Sequence, residues 1–370
     1  MATCVLSMAN LQSLLDMLSD QGHEILGPTV RDGAVTCDHL HSIQDLPIGL
    51  YEVQSGGHYR LKGTGSGSLF SYTTGPQSWK RFLLPPERDF LEIQTHKREV
   101  VVSTDTAPPQ PMAFFGVRAC DMAALERLDK VLSDGPYQAS HYKKRRDRTV
   151  VIAVNCTRAG DTCFCASMQT GPRVTGGFDI LLTELVASDG PYCLAEAGTG
   201  RGEDLLAALD ATEASEDQVR EADEAVKQAA DSMGRSITTD NLPDILKASL
   251  DDPQWEKIAS RCLSCGNCTM VCPTCFCSTT EDTTDLSGST ARRIQRWDSC
   301  HTVEFTYIHG GSIRTSVMSR YRQWMMHKLA YWPEQFGSFG CVGCGRCITW
   351  CPTGIDITEE AGRFREKAAR

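Results

Sequence analysis

Near its C-terminal end the chain contains two cysteine runs with the same spacing. The first reads Cys262-Leu-Ser-Cys265-Gly-Asn-Cys268-Thr-Met-Val-Cys272-Pro273, and the second reads Cys341-Val-Gly-Cys344-Gly-Arg-Cys347-Ile-Thr-Trp-Cys351-Pro352. Both follow the pattern C-x2-C-x2-C-x3-C-P, which is typical of bacterial ferredoxins with two [4Fe-4S] clusters. One such run could be a zinc-binding loop, but two runs that each end in proline indicate a dicluster domain.

The spacing also predicts which cysteines share a cluster. In a two-cluster ferredoxin, three thiolates of one run bind one cluster and the fourth binds the other. Crossed ligation predicts a first cluster held by Cys262, Cys265, Cys268 and Cys351, and a second held by Cys341, Cys344, Cys347 and Cys272. Structural zinc is the alternative, but zinc sites usually pair two CxxC units across a longer spacer.

Composition limits the class of protein. The chain has 370 residues, 18 cysteines and a formal net charge of −10. This length allows two or three domains, and the cysteine content is below that of a small disulfide scaffold. The negative charge argues against a nucleic-acid partner. Residues 1–8 lack the features of a signal peptide, and no stretch is apolar enough for a transmembrane segment. We therefore expect a cytoplasmic protein.

The order of sequence patterns predicts a mixed fold of the α+β or α/β class. We expect an N-terminal mixed α/β region over 1–110, an α/β unit over 111–200, an acidic helical linker over 201–255 and a dicluster ferredoxin domain over 256–370. The ferredoxin domain is elaborated, because residues 274–340 form an insert between its two cysteine runs. A single exposed acidic helix is expected over 203–230, and another helix over 320–329.

The α/β unit has the pattern of two parallel strands joined by a helix. Met112–Val117 and Thr149–Val154 are apolar runs of strand length. Between them, residues 121–132 have apolar side chains at helical spacing, with Asp121 available as the N-cap. This order predicts a βαβ unit.

Four cysteines of this unit form a candidate third cluster site. Cys120 follows the first strand and Cys156 follows the second, so both belong at the carboxyl edge of a parallel sheet, where such sheets bind ligands. A returning loop could bring Cys163 and Cys165 to the same edge. Four thiolates there would bind a third [4Fe-4S] cluster. The alternative is four unrelated buried thiols, because free cysteine packs well as a small apolar residue.

Six cysteines remain outside these sets. Cys4, Cys37 and Cys193 are isolated in the sequence, and we expect them to be buried or surface thiols without a cofactor. Cys275, Cys277 and Cys300 lie in or next to the insert. They could form a redox-active thiol pair or a further metal site, but packing beside a cluster is the expectation.

Several motifs resemble one known family. They are Phe115-Gly-Val-Arg-Ala-Cys120-Asp121, Asn155-Cys156, Cys163-Phe-Cys165-Ala-Ser-Met168, Cys272-Pro-Thr-Cys275-Phe-Cys277, Arg292-Arg-Ile-Gln-Arg-Trp297-Asp-Ser-Cys300 and Cys341-Val-Gly-Cys344-Gly-Arg-Cys347. Together they are similar to sulfhydrogenase beta subunits and to the iron–sulfur electron-transfer subunits of anaerobic sulfite reductases. The resemblance covers residues 80–357 and supports the third cluster. It does not extend to the first 80 residues, whose role it leaves open.

The resemblance implies an iron–sulfur electron-transfer subunit without its own active site. Its expected partners are a flavoprotein subunit that binds FAD and NAD(P)H, and the small and large subunits of a [NiFe] hydrogenase. The alternative is the electron-transfer subunit of an anaerobic sulfite reductase, whose partner contains siroheme. A further hypothesis is a stand-alone redox enzyme in which Cys275, Cys277 and Cys300 reduce a substrate.

Overall fold

The structure is a computed structural model that describes residues 3–96, 99–104, 109–188 and 190–369. Its strands are β1 (Cys4–Leu6), β2 (Glu24–Arg31), β3 (Ala34–His39), β4 (Leu50–Ser55), β5 (His58–Gly63), β6 (Glu87–His96), β7 (Glu99–Ser103), β8 (Met112–Arg118), β9 (Thr149–Val154), β10 (Ile180–Ala187), β11 (Gly190–Ala197), β12 (Thr212–Glu213), β13 (Ser278–Thr284), β14 (Thr290–Trp297), β15 (Tyr307–Ile308) and β16 (Gly311–Ser312).

The helices alternate with these strands in the first half of the chain and dominate the second half. They are α1 (Met8–Asp20), α2 (Lys80–Leu83), α3 (Ala119–Leu132), α4 (Ser140–Asp147), α5 (Gly200–Ala207), α6 (Glu216–Asp231), α7 (Leu242–Ala248), α8 (Gln254–Ala259), α9 (Asn267–Met270), α10 (Val317–Met326), α11 (Trp332–Phe336), α12 (Arg346–Thr349) and α13 (Ile357–Ala368). A π-helical turn, His327–Tyr331, joins α10 to α11.

An eight-stranded sheet organises the first part of the molecule. Its strand order is β12-β1-β11-β10-β9-β8-β2-β3. The four strands β2, β8, β9 and β10 are parallel to one another, and antiparallel strands flank them on both sides. Every residue of β8 and of β9 is buried, as expected for parallel strands that are covered on both faces. The mixed fold class predicted from the sequence is confirmed.

The predicted βαβ unit is present as β8, α3 and β9. Its two strands are neighbours and parallel. The prediction that Asp121 caps the helix is wrong, because α3 begins at Ala119 and its N-cap position is Arg118. Asp121 lies in the first turn instead, where its carboxylate accepts two hydrogen bonds from the guanidinium of Arg346, at 2.8 and 2.9 Å. The Asp121 carboxylate therefore pairs with a residue far away in the sequence instead of capping α3.

The predicted single acidic helix over 203–230 is also wrong. The structure has two helices here, α5 and α6, and the short strand β12 between them pairs with β1 at the sheet edge. Ser215 then caps α6 by accepting a hydrogen bond from the backbone N–H of Gln218. The apolar face of α6 is buried through Ala222, Val226 and Ala229. Helix α6 is therefore acidic on its outer face but packed on the other, and is not a fully exposed linker.

A four-stranded antiparallel sheet, β13-β14-β6-β7, connects the insert to the N-terminal region. In it β14 pairs with β6 over residues 290–296. The helix predicted over 320–329 corresponds to α10 and the π-helical turn. Its buried residues Trp324, Met325 and Leu329 belong to a second core, which also contains Trp255 and Phe364. This second core supports the loops that contain the ferredoxin cysteines.

Candidate metal centres

The first predicted cysteine set surrounds one pocket. Cys262, Cys265, Cys268 and Cys351 all line it, together with His301, Tyr321 and Trp324. Burial raises the pKa of the Cys262 thiol, and the neighbouring Cys351 and Cys265 thiols raise it further. The pocket lining thus includes thiols from both cysteine runs. The structure therefore brings together the four residues that crossed ligation predicts.

The second predicted set is more deeply buried. Burial raises the pKa of the Cys347 thiol well above its usual value, and Cys341, Cys344 and Cys272 add to this effect. Lys328 is also buried, and its Nζ donates a hydrogen bond to Cys272 Sγ at 3.1 Å. Hydrogen bonding from the Cys275 thiol and the positive charge of Lys328 lower the pKa of Cys272. The four thiols of this set again come from both runs.

Glycines allow both runs to curl. Gly266 and Gly345 have φ angles of 73° and 75°, and each precedes a short helix, α9 or α12. A side chain is strained in this left-handed region. At Gly345 a Cβ would also overlap the carbonyl oxygen of Thr162. The residue after the second cysteine of each run is therefore glycine for a conformational reason.

Backbone N–H groups point at the sulfur atoms of both runs. Ser264 donates to Cys262 Sγ at 3.4 Å, and Gly343 donates to Cys341 Sγ at 3.4 Å. Ile355 donates to Cys351 Sγ at 3.3 Å. Hydrogen bonds to sulfur are one of the ways by which proteins set the potential of an iron–sulfur cluster. The loops thus have the donors that such a cluster requires.

The third predicted set also comes together. Burial raises the pKa of Cys163 to about 12, with Cys156 adding to the effect. Burial likewise raises the pKa of Cys165, to which Cys163 and Cys156 contribute, and that of Cys120, to which Cys165 contributes. Cys120 and Cys165 also pack in one buried cluster, and Cys156 Sγ lies 3.8 Å from the guanidinium of Arg118, the last residue of β8. The predicted thiols are therefore grouped at the carboxyl edge of β8 and β9.

The three sets adjoin one another in a row. Cys344 of the second set packs with Cys120 and Cys165 of the third set in one buried cluster. Cys347 of the second set lines the pocket that the first set surrounds. The order is therefore third set, second set, first set.

Direct contacts hold the third set against the second. The backbone N–H of Phe164 donates to the carbonyl of Gly343 at 2.8 Å. The ion pair between Arg346 and Asp121 lies at the same junction, and both side chains are less than 5% exposed. Removing one member of such a buried pair costs about 3–5 kcal/mol. The junction between the α/β unit and the ferredoxin loops is therefore rigidly defined.

The first set reaches the surface directly. Cys265 is exposed, whereas Cys272, Cys341 and Cys344 of the second set are buried. Leu263, beside Cys265 in the same loop, is 66% exposed. An apolar side chain thus projects into solvent at the outer end of the row.

The structure adds residues that the sequence analysis did not identify. Lys80 and Lys328 are buried next to the first cysteine run. His301 is buried with its Nε2 3.3 Å from Cys268 Sγ. The proximity of His301 to Cys300 in the sequence is a weak signal for that residue, but neither lysine belongs to any local motif.

The three isolated cysteines lie in the eight-stranded sheet. Cys4 is in β1, Cys37 is in β3 and Cys193 is in β11. Cys193 is completely buried, whereas Cys4 is half-buried at the side of the sheet. Cys275, Cys277 and Cys300, in contrast, lie together beside the ferredoxin runs.

Comparison with known proteins identifies the family. A family model described as a 4Fe-4S dicluster domain matches residues 261–355. The chain is 32% identical over 296 residues to sulfhydrogenase 2 subunit beta of Pyrococcus furiosus, an overlap of 78% of this chain and 85% of that protein. The chain belongs to the family of sulfhydrogenase beta subunits. No solved structure matches it significantly.

These matches confirm the resemblance seen in the sequence motifs. This sulfhydrogenase-family chain contains an iron–sulfur domain of the ferredoxin type, which is an electron-transfer domain. In the part of the chain that the structure describes, no helix is both long enough and apolar enough to cross a membrane. In the same part, no three His, Cys, Asp or Glu side chains are grouped for a single metal ion.

Proposed function

We propose that the chain is the iron–sulfur relay of a hydrogenase complex. In this function it passes electrons between a flavoprotein subunit, which binds FAD and NAD(P)H, and the small and large subunits of a [NiFe] hydrogenase. The observation that carries the proposal is the row of three cysteine sets, in which each set adjoins the next. Membership in the sulfhydrogenase beta-subunit family supports the choice of partners.

The cofactors of this relay are three [4Fe-4S] clusters. The donor sets fit them, because each set supplies four thiols and the two ferredoxin runs supply backbone N–H donors to sulfur. The proposed ligands are Cys262, Cys265, Cys268 and Cys351 for the first cluster, Cys341, Cys344, Cys347 and Cys272 for the second, and Cys120, Cys156, Cys163 and Cys165 for the third. Such clusters supply one-electron transfer when bound.

The protein environment differs along the row. The ammonium of Lys328 lies against Cys272 in the second set, and this positive charge stabilises the more negative, reduced state of that site. Near the first set, His301 is neutral at physiological pH because burial and the charge of Arg320 lower its pKa to about 4. Local charge therefore favours an electron at the second set over the first.

A partner would dock where the first set is exposed. Cys265 is accessible there, and Leu263 offers an apolar contact. Subunits of a permanent complex share large interfaces, so this exposed loop would form one part of a wider contact. The chain itself then needs no substrate pocket.

The first test is an anaerobic affinity purification of this chain from its native host. We expect it to bring a flavoprotein and a nickel-containing large subunit, and the assembly to reduce its clusters with NAD(P)H. Siroheme and sulfite-dependent NADH oxidation would overturn the proposal in favour of the sulfite reductase alternative. Recovery of the chain without any redox partner would refute both.

A variant pair tests the relay itself. In the purified assembly, Cys268→Ala should abolish electron transfer from NAD(P)H to the hydrogenase module. Cys4→Ala, which alters a half-buried thiol in the sheet, should leave that transfer unchanged. Normal transfer in the Cys268→Ala assembly would contradict the relay.

A further inference from the structure

We propose that Cys275, Cys277 and Cys300 hold a fourth iron–sulfur cluster. These three residues belong to none of the three cysteine sets described above. The inference concerns the cofactor content of the chain, and it does not depend on which complex the chain joins.

The hairpin of β13 and β14 explains why two of these cysteines meet. Cys277 immediately precedes β13, and Cys300 follows shortly after β14. The two strands are antiparallel, with Ser278 opposite Trp297, so their open ends lie side by side. The backbone N–H of Asp298 also donates to the carbonyl of Cys277 at 2.9 Å. At this end the side chains of Cys277 and Cys300 line the same pocket.

The third thiol comes from the same loop as Cys277. Cys275 is separated from Cys277 only by Phe276, and all three cysteines line one pocket. The same Cys-Phe-Cys arrangement occurs at Cys163 and Cys165 in the third set. In the third set, the Cys163 and Cys165 pair meets Cys156, which follows β9. Here the Cys275 and Cys277 pair meets Cys300, which follows β14.

The pocket has the composition of a cluster site. Phe305, Trp324 and Trp332 contribute apolar walls, and His327 lines it as well. An imidazole replaces a thiolate in some biological iron–sulfur clusters. Among the residues that line this pocket, His327 has the side chain that could bind the fourth iron in the same way.

Buried positive charge is the strongest argument for an anionic cofactor. Lys80 and Lys328 are 3% and 5% exposed. Lys80 Nζ donates to the carbonyls of Cys272 and Cys275 at 3.1 and 2.8 Å. Lys328 Nζ donates to Cys272 Sγ at 3.1 Å and to Thr274 Oγ1 at 3.2 Å.

None of these four acceptors is a carboxylate. The groups near Lys80 that can carry a negative charge are Cys275, Cys272 and Cys277. A buried ammonium is costly unless it is paired with an anion. A cluster with four thiolates carries more than one negative charge, so the second cluster would offset Lys328, and Lys80 also packs over the Trp297 ring at 3.9 Å. A thiolate-bound cluster at Cys275 and Cys277 would add negative charge directly beside Lys80, whose Nζ already donates to the Cys275 carbonyl.

The site adjoins both ferredoxin sets. His301, next to Cys300, has its Nε2 3.3 Å from Cys268 Sγ of the first set, and Lys80 Nζ links the carbonyls of Cys275 and Cys272, the latter from the second set. A cluster here would therefore exchange electrons with either neighbour. Electrons could then leave the row of three cysteine sets by a second route. This route would end at the pocket of Cys275, Cys277 and Cys300, whereas the first ends at the exposed Cys265 loop.

Iron content tests the inference. The full chain, purified anaerobically, should contain about sixteen irons and sixteen acid-labile sulfides, counting four per [4Fe-4S] cluster. Cys277→Ala and Cys300→Ala should each lower the count by about four, while the matched control Cys4→Ala keeps the parental count. A parental content of about twelve irons, or an unchanged count in both variants, would overturn the fourth site. A content of about eight or fewer would overturn the fourth site and also contradict the proposed three-cluster relay.

A second measurement uses only the parental chain and does not depend on how the variants fold. Alkylation of the anaerobic protein should spare Cys275, Cys277 and Cys300 until the iron is removed, after which all three should react. Cys4 serves as the internal reference for a thiol without a cofactor. A Cys277–Cys300 disulfide, or one zinc per chain with these cysteines protected, would show that the site has another chemistry.

Discussion

Replacing Lys328 with methionine should lower the reduction potential of the proposed second cluster. The Lys328 ammonium is buried and donates to Cys272 Sγ at 3.1 Å. A positive charge at this distance stabilises the reduced cluster more than the oxidised one, because reduction adds a negative charge. Methionine has a similar length and fills the same space without the charge.

The magnitude follows from the strength of such a hydrogen bond. A hydrogen bond to a charged group contributes about 1.5–3 kcal/mol. For a one-electron couple about 1.4 kcal/mol corresponds to roughly 59 mV, so the complete loss of this energy in one redox state would shift the potential by roughly 60–130 mV. Part of the bond energy is present in both redox states. If about half of it differs between them, the potential should decrease by roughly 30–65 mV.

The assay is a redox titration of the anaerobic chain followed by electron paramagnetic resonance. Lys144→Met, the same change at an exposed lysine of α4, is the control and should leave every potential unchanged. Lys328→Arg retains the charge and should recover part of the shift. An unchanged set of potentials in Lys328→Met, at the parental iron content, would refute the reasoning.

Four further predictions use the same preparations. Cys268→Ala should remove about four irons, whereas Cys4→Ala should remove none, as measured by iron analysis. Cys163→Ala should also remove about four irons and leave the ferredoxin signals in the paramagnetic resonance spectrum; loss of those signals would contradict a separate third site. Arg346→Met should destabilise the protein by about 3–5 kcal/mol in thermal unfolding, while Arg220→Met, in an exposed ion pair, should have little effect. The isolated chain should not oxidise NAD(P)H, and robust turnover without a flavoprotein would argue against a relay.

The cysteine runs were predictable because their structure is local. Each run places three thiols within seven residues, and the glycine after the second cysteine permits the turn. The βαβ unit was equally predictable, since β8 and β9 are apolar over most of their length and α3 has helical spacing between them. In both cases neighbouring residues in the sequence determine the structure that forms.

The incorrect predictions involve contacts between distant parts of the chain. Asp121 pairs with Arg346, which is 225 positions away in the sequence, instead of capping α3. The expected acidic helix is interrupted because β12 pairs with β1 near the N-terminus. Arg346 lies far from Asp121 in the sequence, and β1 lies far from β12, so a pattern of neighbouring residues reveals neither contact. For the same reason Lys80 and Lys328, which approach the first cysteine run from two other regions, could not be identified from the sequence.

The first 80 residues, whose role the sequence left open, support the sheet and the ferredoxin loops. Strands β1, β2 and β3 belong to the eight-stranded sheet. The β4–β5 hairpin contacts the second cysteine run, where Gly57 donates to the carbonyl of Ile348 at 3.2 Å. Thr349 Oγ1 donates to Gln54 Oε1 at 2.8 Å. This hairpin therefore braces the loop that contains Cys347 and Cys351.

Burial along the row constrains how a relay of this kind could work. The second and third sets consist of thiols that are buried or half-buried, whereas the first set includes the exposed Cys265. In the proposed function, an electron at the second set therefore leaves through the first set, through the third set or through the pocket of Cys275, Cys277 and Cys300. The buried lysines lie where these routes meet, because Lys328 contacts Cys272 and Lys80 contacts the Cys275 loop. The positive charges of Lys80 and Lys328 would stabilise an electron at the second set until a partner docks at an end of one of these routes.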